Sequence, residues 1–140
     1  MNKKFVLFIN SMEDKPKVIL FDIENEQKIS ESIVADKKQL SEQLLVKIEK
    51  MLTDSKLKKS DIAAIVADNN PGSYTGVRIG ITTANFLAFS LNIPILSATE
   101  ECFSKKDWQK IKDEIKVSDH FISPILPIYS SPPFITKKKI

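Results

Sequence analysis

A chain of 140 residues that is 42% hydrophobic and 28% charged has the content for one domain with its own core, which excludes a disordered or fibrous protein. Its 21 basic and 18 acidic residues leave a formal charge of only +3, much of it in Lys137, Lys138 and Lys139, and no basic stripe with interleaved aromatics marks a direct nucleic-acid surface. The one cysteine, Cys102, excludes an internal disulfide and a thiol metal cluster and fits a reducing cytoplasm.

Three strand-like runs come first, at Lys4–Asn10, Lys17–Ile23 and Gln27–Val34. The second and third form a hairpin through Glu24–Glu26, and the first pairs alongside. The apolar run Phe5–Ile9 is too short for a signal h-region or a membrane span. Asp36–Leu57 has helical periodicity, with Leu40, Leu44, Ile48, Met51 and Leu52 on one side. IAAIVAD, residues 62–68, reads as a buried central strand. A second helix runs from Ser73 to Leu91, Asn92 stops it, and residues 93–98 make a fifth strand. Thr99–Val117 reads as a charged helix anchored by Trp108, and residues 118–140 are Pro-rich and extended. Three strands, helix, strand, helix, strand predict an α/β fold. Its mixed five-stranded sheet is of the ribonuclease-H-like or actin-like kind, with a C-terminal helix and extended tail added.

All three glycines, Gly72, Gly76 and Gly80, fall within NNPGSYTGVRIG, residues 69–80. The spacing is neither a P-loop nor a dinucleotide fingerprint, although a helix start after a strand can still hold an anion. Gly76, Gly80, Ala84 and Ala88 recur every fourth residue, a ridge that another backbone can approach closely. Two glycines inside a helix cost about 1 kcal/mol each against Ala, so a bland solvent-facing helix explains them poorly. Turned at about 100° per residue, the helix has a broad apolar face (Gly80, Ala84, Leu87, Leu91, Val77, Ala88, Ile81) and a second one (Ile79, Phe86, Phe89). Arg78 and Asn85 separate the two on one side, Thr83 and Ser90 on the other. A helix covering a sheet needs one face. The second either packs under the 99–117 helix or the tail, or is left for a partner.

Residues 62–100 resemble the signature block of the TsaB (YeaZ) family, G-P-G-S-F-T-G-L-R-I-G followed by an alanine-rich helix and an I-P strand. LSEQLL, residues 40–45, is similar to that family's H-S-E-x-L-L, and PIYSSPP, residues 127–133, to its closing P-x-Y-L-R-x-P. There are departures. The first strand ends Ile9-Asn10-Ser11 where the family commonly has Asp-Thr-Ser. Leu40 replaces a His, and Asn70 replaces a Gly. Only residues 99–125 stand where family members carry a second domain. The expected organisation is a first domain at 1–98 and a reduced helix and tail at 99–140 packed on it.

The resemblance implies a non-catalytic subunit that pairs with the TsaD catalytic subunit in making threonylcarbamoyl-adenosine in tRNA. It implies no cofactor or metal of its own, a cytoplasmic location, and contact with a TsaE-like ATPase and with tRNA only through the complex. The pairing helices are then residues 37–56 and 73–91. Their expected interface residues are Leu40, Leu44, Ile48, Gly76, Arg78, Ile79, Gly80, Thr83, Ala84 and Leu87, and Gly80→Leu is expected to block pairing. The alternatives are a homodimeric or RNA-binding accessory module, or a degenerate actin-like ATPase. Against catalysis, His120 is the single histidine, Ser73 and Thr75 serve as helix caps, and the first strand lacks its acid.

Overall fold

Short apolar runs form five strands side by side in the computed structural model, which describes residues 4–10, 16–34, 40–68, 74–103 and 107–126. The strands are β1 (Phe5–Asn10), β2 (Lys17–Asp22), β3 (Gln27–Ile33), β4 (Ile62–Ala67) and β5 (Ile95–Ser97), in the order β3-β2-β1-β4-β5. β1, β2 and β3 form an antiparallel meander, and β4 and β5 add in parallel. Two helices make the crossovers, α1 (Leu40–Asp54) between β3 and β4 and α2 (Tyr74–Leu91) between β4 and β5. This is the mixed α/β sheet that the element order predicts.

Both sheet faces are covered, which is why β1, β2 and β4 are almost continuously apolar. Leu7, Ile9, Val18, Leu20 and Ile65 pack under α1 and α2. Their neighbours Val6, Phe8, Ile19, Phe21 and Val66 point the other way, onto Phe103, Trp108 and Ile111. Sequence 99–117 is therefore not one helix. A 3-10 turn at Glu100–Phe103 comes first, and the helix proper, α3, spans Trp108–Val117. The break has a packing reason. It lays the Phe103 ring flat on Phe21, centroids 4.0 Å apart, while Trp108 meets Phe103 edge-on at 5.1 Å.

Local chemistry ends the helices. Lys56 and Asn92 take positive φ, 59° and 54°. The N–H of Leu57 then reaches the carbonyl of Leu52, and that of Ile93 reaches Ala88, closing each helix with the six-residue bond of a left-handed C-cap. The β2–β3 turn is held by buried Asp22, whose Oδ1 accepts the N–H groups of Glu24 and Asn25 and whose Oδ2 accepts the Asn25 side chain. Burial opposes the charge on Asp22. The Asn25 backbone and side chain, Lys4 at 3.7 Å and the Glu24 N–H outweigh it, and the carboxyl sits below its ordinary range.

Candidate partner-docking face

The predicted site residues divide sharply on burial. Leu44 and Ile48 of α1, and Ala84 and Leu87 of α2, belong to the core between helices and sheet, and Gly80 is buried beside them. The close approach that the glycine–alanine ridge permits is thus made by the chain to itself, since α2 packs on α1 and on β4, β1 and β5. Gly80→Leu consequently probes the fold before it probes a partner. Arg78 is exposed, and Ile79 and Thr83 are half-buried. Leu40 opens α1 and Gly76 lies in the first turns of α2, but the surroundings of both are outside the described residues, as are Gly72, Ser73 and the lysines at 137–139.

Among the described residues, the second apolar face of α2 stands largely open, with Ile79 alone of its three side chains half-buried. Phe86 is 58% exposed and Phe89 68%. Helix α3 cannot cover them because it lies across the sheet, against the opposite face. On α1, Leu45 and Val46 are also exposed. Sequence periodicity found Phe86 and Phe89 but not this pair, because one or two apolar residues on a polar helix face make no pattern.

Along one flank of α2 runs an extended segment, residues 121–126, here called the strap. The Asn85 Nδ2–H donates to the Ile125 carbonyl and its Oδ1 accepts the Ile125 N–H, both at 2.9 Å. Asn92 Oδ1 accepts the Phe121 N–H at 3.2 Å, and the Phe121 ring meets Phe89 edge-on at 5.5 Å. An extended tail packed on the domain is what the sequence predicts for 118–140; its anchors, Asn85 and Asn92, show no local pattern because they lie about 30 to 40 residues away in the chain.

Two features bear on chemistry. Ile9, at the first-strand position where the resemblance calls for a carboxylate, is buried among apolar side chains. A hollow of about 510 Å³ is lined by Lys116, Ser118, Asp119 and His120 among others. There His120 Nδ1 lies 3.2 Å from both Ser118 Oγ and Asp119 Oδ1. One ring nitrogen meets both groups, so this is not the relay of nucleophile, base and acid, which uses the two nitrogens separately. Among the described residues no three His, Cys, Asp or Glu side chains cluster as metal ligands, and no helix is long and apolar enough to cross a membrane.

Comparison with known proteins gives a consistent picture. The family model described as "TsaD: tRNA N6-adenosine threonylcarbamoyltransferase" matches residues 27–99. The tRNA threonylcarbamoyladenosine biosynthesis protein TsaB of Bacillus subtilis is 45% identical over 67 residues, covering 48% of this chain and 29% of the relative. Its Escherichia coli counterpart is 34% identical over 71 residues, covering 50% and 31%. The TsaB of Buchnera aphidicola subsp. Acyrthosiphon pisum is 28% identical over 110 residues, covering 78% and 48%. This chain therefore spans less than half the length of these curated relatives. Among solved structures, YeaZ from Pseudomonas aeruginosa superposes with a TM-score of 0.62 at 21% identity, covering 76% of this chain and 51% of that one. At that identity the likeness establishes the shared fold.

Proposed function

The chain belongs to the TsaB (YeaZ) family, and from that premise we propose that it is a pairing subunit, without catalysis of its own, in the biosynthesis of threonylcarbamoyladenosine in tRNA. Its partner on this reading is a TsaD-like transferase subunit. The observation that carries the reading is the open apolar face of α2. Phe86 and Phe89 remain exposed after the opposite side of the same helix has been buried. Contiguous exposed apolar surface on a small domain marks a site of association.

The pairing surface is then Phe86 with the exposed or half-buried residues around it, Arg78, Ile79 and Thr83, continued by Leu45 and Val46 of α1. Leu44, Ile48, Gly80, Ala84 and Leu87 form the layer beneath, which sets the position of the helices. A non-catalytic role is supported by Ile9 in place of a first-strand acid and by the single-nitrogen arrangement at His120. Alone, the chain has a natural homodimer contact in the same face. On the same reading the chain meets tRNA and a TsaE-like ATPase only through the assembled complex and works in the cytoplasm.

Co-purification with the TsaD-like subunit of the same organism tests this. A heterodimer is expected, its formation dissolving any homodimer. The reading fails if the two do not associate and tRNA modification proceeds equally well without this chain.

A further inference from the structure

Beyond α3 the chain passes the open edge of β5, where Ile122 and Ser123 line a cleft with Pro94, Ile95 and Leu96, and then returns along α2. The strap seats two of its apolar side chains and leaves two outside. Phe121 and Ile125 are half-buried and pack against the core, and the Phe121 ring keeps an edge on exposed Phe89. Ile122 and Leu126 stay 66% and 74% exposed. In an extended segment neighbouring side chains alternate, so seating Ile125 on Asn85 turns Leu126 outward and adds an exposed apolar side chain to that flank of α2.

Part of the strap's main chain is already paired at its two ends. An extended segment under a partner normally carries unpaired N–H and C=O groups whose desolvation opposes binding. Here the N–H of Phe121 and both polar groups of Ile125 are already taken by Asn92 and Asn85. Asn85 lies within α2 and Asn92 directly follows its last residue, so the two hold the strap at separate points along the helix.

We propose that residues 121–126 extend the docking face, so that the partner meets one surface built jointly from Phe86 and Phe89 of α2 and Phe121 and Leu126 of the strap. Asn85 and Asn92 are its positioning residues, and the inference rests on the pairing proposed above. The occupant is the transferase subunit, through an apolar helical face. The stretch of this chain that carries α1 and α2 lies within the match to the transferase family model, so a transferase of that family has a corresponding helix pair to offer. Holding the strap in place beforehand removes its ordering cost from the association step.

The test measures association of the full chain with the transferase subunit by calorimetry, alongside hydrogen exchange at the Phe121 and Ile125 amides. Leu126→Ser is expected to leave exchange and thermal stability unchanged while weakening association roughly tenfold. Asn85→Ala is expected to speed exchange at Ile125 and to weaken association by a similar factor. If both variants bind as tightly as the unaltered chain, the strap is no part of the interface and the inference is overturned while the pairing stands. If the unaltered chain does not bind at all, the pairing itself is wrong and the inference falls with it.

Discussion

Asn85 and Ile125, 40 residues apart in the chain, are joined by two hydrogen bonds of 2.9 Å that run in opposite directions. The side-chain amide presents to the strap the donor and acceptor that a neighbouring β-strand presents with its backbone. A helix, which spends its own peptide groups internally, thereby gains one place where an extended chain can pair with it. Because Nδ2 donates to a carbonyl and Oδ1 accepts from an N–H, the orientation of the amide is fixed by its partners.

The first prediction concerns this joint. Asn85→Ala removes two neutral hydrogen bonds at about 1 kcal/mol each, so opening of the strap becomes roughly 5- to 30-fold more frequent. Hydrogen exchange at the Ile125 amide should rise by that factor, while amides of β1 and β4 keep their protection. An unchanged rate at Ile125 places the hold on the strap elsewhere.

Phe86→Ser separates the docking face from the core. The ring is more than half exposed, so its loss should shift folding stability by no more than about 0.5 kcal/mol. Association with the transferase subunit should weaken by more than about 1 kcal/mol, as expected for a central aromatic at an interface. Thermal unfolding and calorimetry on the same sample distinguish the two effects. Undiminished binding by the folded variant moves the interface off this face.

Gly80→Leu should behave in the opposite way. Gly80 is buried inside the chain's own structure, and a leucine there overfills the layer between α2 and its neighbours, at a cost of about 1–3 kcal/mol. Denaturant unfolding should show the loss with no partner present. Val46→Ser, on the open side of α1, is the control and should stay within about 0.5 kcal/mol. Full stability in Gly80→Leu would place that backbone on a free surface.

These contrasts show how far the sequence could be read. The continuous apolar run at 62–67 correctly announced a strand covered on both faces, and Asn92 ended α2 in the left-handed conformation that its residue type favours. The two-sided character of α2 was also legible, since periodicity states which residues share a side. Periodicity does not say what covers a side. Leu44 and Ile48 share a stripe of α1, and Ala84 and Leu87 one of α2, whether these meet the chain's own core or another molecule, and here they meet the core. Breaking residues 99–117 into a 3-10 turn and a shorter helix depends on Phe103 stacking on Phe21, a contact across 82 residues with no local trace. The tail's extended path was legible, but its anchoring by Asn85 and Asn92 was hidden for the same reason.

Acid stability gives the last prediction, and Asp22 carries it. In the folded chain its carboxyl lies below the ordinary range: burial works against the charge, but the Asn25 backbone and side chain, Lys4 and the Glu24 N–H prevail. The folded state thus gives up this proton more readily than the unfolded one. The resulting stabilisation is fully present above the unfolded carboxylate range, near pH 4, and is lost as pH falls through that range and below the folded value. Glu31 shifts in the same direction, first through its hydrogen bond from Lys28, and steepens the same acid limb. Asp22→Asn keeps one oxygen for the two backbone N–H groups but turns an NH2 toward the donors of Asn25 and Lys4. Its urea midpoint should lie well below that of the unaltered chain at pH 7, and the gap should close steadily between about pH 4 and pH 2. Since Glu31 is present in both proteins its share cancels, so two curves that stay parallel throughout that range would remove Asp22 as the source of the acid limb.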